Sequence, residues 1–183
     1  ELQPSCIVLV ATIRALKMHG GVEKDELKKE NLEALKKGLP NLERHIENIK
    51  KFGLDLVVAV NYFASDTDNE VKTIQDFCSK LGVKACLCTQ WSDGGNGTKD
   101  LANQVVELTN KSNKSKFKYL YSDEISILEK IERIAKEIYR AKGIDIDEKI
   151  KEQIKKIEKA GFRKFPVCIA KTQYSFSTDP KVK

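Results

Sequence analysis

The chain has 183 residues, 40% hydrophobic and 33% charged, with a net charge of +6 from 33 Lys and Arg against 27 Asp and Glu. No apolar run approaches the roughly 20 residues that a membrane-spanning helix needs, and no secretory leader pattern opens the chain. The paired lysines at 28–29, 36–37, 50–51 and 155–156 alternate with glutamates. They read as solvated helix faces, not as the one-sided basic surface of a nucleic-acid binder.

Residues 7–12 are an apolar run rich in β-branched residues, expected as a buried strand. Arg14, Lys17 and His19 follow, then Gly20 and Gly21. This stretch reads either as a place where backbone approaches a ligand closely or as an ordinary flexible loop. Leu27, Leu32 and Leu35 mark a helix over 25–39. Pro40 and Asn41 are expected to break it, and Leu42, Ile46 and Ile49 to form a second helix ending at Gly53. A second buried strand occupies 57–60 and stops at Asn61. Ser65 or Thr67 caps a helix running to about Lys80, and 83–88 is a third strand. After it stands Trp91, the only tryptophan, beside Gly94, Gly95 and Gly97. This loop matches neither GxxxxGK[ST] nor GxGxxG. It reads as a mobile aromatic-bearing loop, with Trp91 packed in the core as the alternative.

A helix is expected over 98–109, an exposed polar loop over 110–116 and a short strand over 117–121. Helices follow over 125–139 and 147–159, the latter closed by Gly161. A last strand over 165–170 runs into a polar loop with Lys171, Gln173 and Tyr174. Strands alternating with helices predict an α/β fold with parallel-type strands. In such sheets the ligand crevice lies beyond the carboxyl ends of the strands.

Several residues at those ends are suited to ligand binding. The Asn61 amide offers a donor and an acceptor and could read a nucleotide or pterin edge. Tyr62 and Ala64 depart from the NKxD pattern, which disfavours guanine. Arg14, Lys17 and Lys171 are anion-binding candidates, with outward surface charge as the alternative; Arg14 could bind bidentately. Gln173, Tyr174, Gly94 and Gly95 are lining candidates. The five cysteines form no CxxC pair, and His19 and His45 lack metal-site spacing. We expect reduced, buried thiols, no metal site, and a cytoplasmic or organelle-matrix protein. The chain opens without Met and stops in a loop-like stretch, so a fragment is expected.

Four motifs resemble those of formate–tetrahydrofolate ligase, also called 10-formyltetrahydrofolate synthetase. They are residues 10–21; residues 58–63 with Asp66, Thr67 and Asp68; residues 91–97; and residues 170–177. The resemblance covers nearly the whole chain and implies the later part of a longer protein. On it, residues 1–72 complete a P-loop-type nucleotide-binding domain, and 73–183 form part of a C-terminal α/β domain bordering the folate cleft. It implies ATP-dependent joining of formate to tetrahydrofolate through formyl phosphate, with Mg2+ and a monovalent cation in a homo-oligomeric full-length enzyme. It further implies that Phe63 and Trp91 stack the pterin ring. No residue is assigned a catalytic role. The chain alone, lacking a phosphate loop, is expected to be inactive. The alternative is a non-catalytic pterin-binding or assembly module.

Overall fold

Leu56, Val57, Val58, Ala59 and Val60 are all buried. A strand that dry on both faces belongs in the middle of a sheet. In the computed structural model, which describes residues 3–111, 117–170 and 176, they form strand β2 (Leu56–Asn61). Strands β1 (Ile7–Ala11) and β3 (Ala85–Cys88) flank it in a parallel sheet of order β1–β2–β3. The fold is α/β, as the alternation of apolar runs and helical stripes predicts. The chain divides into two compact units, Glu1–Lys118 and Tyr119–Lys183.

In the first unit, α1 (Ile13–His19) and α2 (Leu32–Lys51) connect β1 to β2, and α3 (Asp68–Lys80) connects β2 to β3. Leu56, Val58 and Val60 share a core with Leu35, Leu39, Leu42 and Ile46 of α2 and with Val71, Ile74 and Cys78 of α3. Alternation turns Val57 and Ala59 to the other face, where α5 (Lys99–Lys111) lies against β2 and β3. Strand β1, expected as buried, instead alternates half-buried Ile7 and Leu9 with exposed Val8 and Val10, because it ends the order of the described sheet and one of its faces is left uncovered.

Three local expectations are corrected. Helix α1 replaces the loop expected after β1. Thr12 caps it by accepting from the Ala15 N–H at 3.1 Å. The helix expected from residue 25 begins instead at Leu32, capped by Asn31, which accepts from the Ala34 N–H at 2.9 Å. That helix then runs straight through Pro40. Pro40 is exposed, as is Lys36, whose carbonyl it cannot pair. Buried Leu35, Leu39, Leu42 and Ile46, at roughly 1.5–3 kcal/mol each, outweigh the roughly 3 kcal/mol that a mid-helix proline costs.

Gly20 and Gly38 serve helix packing, while Gly21 takes a positive φ of 95 with nothing within 4 Å of a Cβ built on it. A Cβ on Gly20 would lie 1.8 Å from the Ala34 carbonyl oxygen, and one on Gly38 would lie 1.9 Å from that of Leu16. The α1 and α2 backbones therefore touch at these two positions, and Gly20 is occupied by a helix, not by a ligand.

Lys17 of α1 and Glu70 of α3 pair at 2.8 Å, both fully buried. Lys17 Nζ also donates to the Lys29 carbonyl at 2.9 Å, and Glu70 Oε1 accepts from the Asn31 N–H at 3.1 Å. The other Glu70 oxygen accepts from the Thr67 N–H at 3.2 Å, completing a capping box on α3.

The second unit holds α6 (Ile127–Glu137) and α7 (Glu148–Ile157). The strands expected over 117–121 and 165–170 do not form. The Lys118 N–H donates instead to the Phe52 carbonyl at 2.8 Å, and between 163 and 167 side chains satisfy backbone groups in place of a ladder. The Tyr121 hydroxyl accepts from the Val167 N–H at 3.0 Å, and buried Lys130 donates to the carbonyls of Arg163 and Phe165 at 2.8 and 3.0 Å. Among the described residues no helix is long and apolar enough to cross a membrane.

Replacing Glu70 by Ala leaves a buried ammonium unpaired, so urea unfolding should show a loss of about 3–5 kcal/mol. The double replacement Lys17→Met with Glu70→Leu should lose far less. Equal losses in the single and double variants would contradict this account of the pair.

Candidate functional site

Parallel strands bring their carboxyl ends to one edge. The register pairs Ala11 with Val60 and Asn61 with Cys88, so the three ends are nearly level. Each end leads into a segment carrying a candidate residue: α1 with Arg14, the 62–67 loop with Phe63, and a short helical turn, α4 (Gln90–Asp93), with Trp91.

The 62–67 loop is clasped by Asp66. Its Oδ2 accepts from the Phe63 N–H at 2.9 Å, its own N–H donates to the Phe63 carbonyl at 2.8 Å, and its carbonyl accepts from the Tyr62 hydroxyl at 3.1 Å. Tyr62 N–H in turn donates to the Cys88 carbonyl at 3.1 Å, tying the loop to β3. The half-buried Phe63 ring carries the Arg14 guanidinium 4.1 Å from its centroid. Arg14 Nη2 donates to Ser65 Oγ at 3.1 Å. Arg14 Nε and Asp66 Oδ1 are both buried without a hydrogen-bond partner. Burial pushes the Asp66 carboxyl above the ordinary aspartate value, and the nearby Glu70 charge adds to the rise. The Phe63 N–H and the charges of Arg14 and Lys17 oppose it.

Trp91 is 88% exposed, which removes the alternative of a core tryptophan. Its loop is closed at the base, where Thr89 N–H donates to the Gly97 carbonyl at 3.0 Å. Gly94 sits at φ 55 and ψ −138, a conformation open to glycine. Nothing lies within 4 Å of a Cβ built on Gly94 or Gly95, so both border open space. Asn61 Oδ1 accepts from Gln90 Nε2 at 2.8 Å, which links the β2 end to the Trp91 turn.

The edge therefore gathers Arg14, Asn61, Phe63, Trp91, Gly94 and Gly95. It does not gather Lys17, whose anion is Glu70 inside the core. Both the ligand reading and the surface-charge reading of Lys17 fail, because one buried carboxylate already holds it. Lys171, Gln173 and Tyr174 lie outside the described residues. Ser65, Asp66 and Gln90 were not weighed as site residues from sequence. Asp66 bonds back to the backbone three positions earlier, a local pattern open to aspartate in general, so the residue type alone does not single it out.

A model of the formate–tetrahydrofolate ligase family matches residues 1–183. The chain belongs to this family. It is 63% identical over 183 residues to a formate–tetrahydrofolate ligase of Pelagibacter ubique (strain HTCC1062). It is 54% and 53% identical over 179 residues to those of Hyphomonas neptunium (strain ATCC 15444) and Ruegeria pomeroyi (strain ATCC 700808 / DSM 15171 / DSS-3). The alignments cover 100%, 98% and 98% of this chain, which spans 32% of the length of each of these relatives.

In this ligase-family chain Asp66 should leave a pH signature. Its folded pKa lies above the unfolded one, so the fold favours the protonated carboxyl. That stabilisation is fully present below the ordinary aspartate value and is lost as pH rises through the raised one. Asp66→Asn keeps an acceptor for the Phe63 N–H and cannot ionise. Its thermal stability relative to the native chain should therefore climb as pH rises through that window. A difference independent of pH would contradict the assignment.

Proposed function

We propose that this chain forms the folate-side part of an ATP-dependent ligase. The enzyme joins formate to tetrahydrofolate through formyl phosphate, giving 10-formyltetrahydrofolate in one-carbon metabolism. The observation that carries the reading is the exposed Trp91 on the sheet edge where Phe63 also sits. A flat pterin presents two faces, and aromatic side chains from neighbouring strand ends can take one each. Stacking of this kind is worth about 1–3 kcal/mol per ring in nucleic-acid complexes. Asn61, with its oxygen already bonded to Gln90, presents its amide hydrogens and so suits an acceptor on the ligand edge.

On this reading the chain's task is positioning. It holds tetrahydrofolate so that N10 meets the formyl carbon, a bond forms there, and phosphate departs. Activation of formate by ATP is assigned to a phosphate loop that these 183 residues do not contain, so the chain alone should give no turnover. Mg2+, a monovalent cation and homo-oligomeric assembly belong to the same proposal for the whole protein. Among the described residues no three His, Cys, Asp or Glu side chains gather to hold an ion, so no metal ligand is assigned here. On the family division, residues 1–72 complete the nucleotide-binding domain and 73–183 border the cleft; both stacking aromatics fall within Glu1–Lys118. Cys78, Cys86 and Cys88 are buried as expected, with the Cys78 thiol pushed up to about 11, whereas Cys6 is half-buried and Cys168 exposed; all five are free thiols, which suits a reducing compartment such as the cytoplasm.

Trp91 is its own probe. Titrating the chain with tetrahydrofolate, with near-UV circular dichroism confirming its fold, should quench Trp91 fluorescence saturably. In Phe63→Ala the affinity should fall by about 5- to 150-fold, the range that 1–3 kcal/mol sets. Quenching of equal affinity in both proteins would contradict the two-aromatic site. A folded native chain and whole protein that both fail to respond would favour the alternative in its assembly form, since a pterin-binding module would still quench.

A further inference from the structure

We propose that Arg14 is a positioning residue for the ligand ring: it backs one face of Phe63 and leaves the opposite face as the stacking surface. The proposal rests on the reading of Phe63 as a stacking residue and adds to it the face used and the residue that enforces it.

Three observations carry it. The guanidinium lies 4.1 Å from the Phe63 ring centroid, so a planar cation occupies the place where a ligand ring would otherwise stack. The guanidinium is held by the loop it backs: its Nη2 donates to Ser65 Oγ at 3.1 Å, in the loop that carries Phe63, and its Nε is buried. Finally, Arg14 stands on a fixed base. Ile13 and Leu16 are in the core, and Lys17, one turn further on, is tied to Glu70. Helix α1, itself held against α3, thus fixes the tilt of a ring on the neighbouring loop.

Arg14 therefore acts through Phe63 and touches no reacting atom. This differs from the anion-holding role that its charge and position invite. An anion grip on formyl phosphate or a nucleotide would act on formate, ATP and kcat. A grip on the glutamate carboxylates of folate would raise the tetrahydrofolate KM without needing Phe63.

The test is a double-mutant cycle in the whole protein that carries this chain, assayed with formate, ATP and tetrahydrofolate. Arg14→Met keeps the apolar stem and removes the cation. It should raise the tetrahydrofolate KM by about 2- to 30-fold, the range a cation–π contact spans. The kcat value and the KM values for formate and ATP should stay within about twofold. Ser65→Ala, which frees the guanidinium without touching Phe63, should shift the tetrahydrofolate KM in the same direction by less. In a Phe63→Ala background, Arg14→Met should add nothing. Full additivity, or a loss confined to kcat, formate or ATP, would overturn the proposal and leave the stacking reading intact. An unchanged tetrahydrofolate KM in Phe63→Ala itself would instead overturn the stacking reading, and the proposal with it.

Discussion

The buried ion pair of Lys17 with Glu70 is the constraint on which the carboxyl edge of the sheet depends. Two charges removed from water are tolerated only when they are paired and their remaining hydrogen-bonding groups are satisfied. Here the ammonium also reaches the Lys29 carbonyl, and the carboxylate also takes the N–H groups of Asn31 and Thr67. One knot thus joins α1, the entry to α2 and the start of α3. Those are the points where the chain leaves β1, turns toward β2 and re-enters a helix after it. The knot adds little net stability over a well-packed apolar substitute. What it fixes is placement: Arg14 one turn before Lys17, and the 62–67 loop just before Glu70.

From that placement the candidate site follows in two parts of different character. Phe63 is held from several sides: its backbone by Asp66, its ring by Arg14, its loop by the bond from Tyr62 to Cys88. Trp91 stands bare on a turn whose base is closed by Thr89 and Gly97 but whose ring meets mostly water. On the proposed reading, a fixed aromatic and an uncommitted one at the same sheet edge suit a ligand that must enter before it is clamped, because only the second surface has to be ordered on binding.

The three strands of the sheet were legible as apolar runs; in β2 this is because a parallel strand buried by helices needs no alternation, whereas β1 kept an apolar sequence although Val8 and Val10 are exposed. The α3 cap was legible only as Ser65 or Thr67; the structure takes Thr67, with Glu70 three residues on completing the box. Helix α1 was not. Its seven residues carry Arg, Lys and His, and its packing rests on backbone contact at Gly20 and Gly38, which has no hydrophobic signature. Pro40 misled because local propensity was outweighed by a buried face that runs on both sides of it. Lys17 misled because burial of a charge depends on a partner 53 positions away. Residues 117–121 and 165–170 have strand-like composition but form no ladder: the Lys118 N–H reaches the Phe52 carbonyl, and the Val167 N–H and the Phe165 carbonyl find side chains. Family motifs pointed to Phe63 and Trp91. Nothing in the sequence pointed to the guanidinium over Phe63, which arises from the register of β1 against β2.

The most direct measurement is a crystal structure of the whole protein with tetrahydrofolate bound. The account predicts the pterin ring between Phe63 and Trp91, with the Arg14 guanidinium on the far face of Phe63. A pterin bound elsewhere, with Trp91 still uncovered, would contradict it.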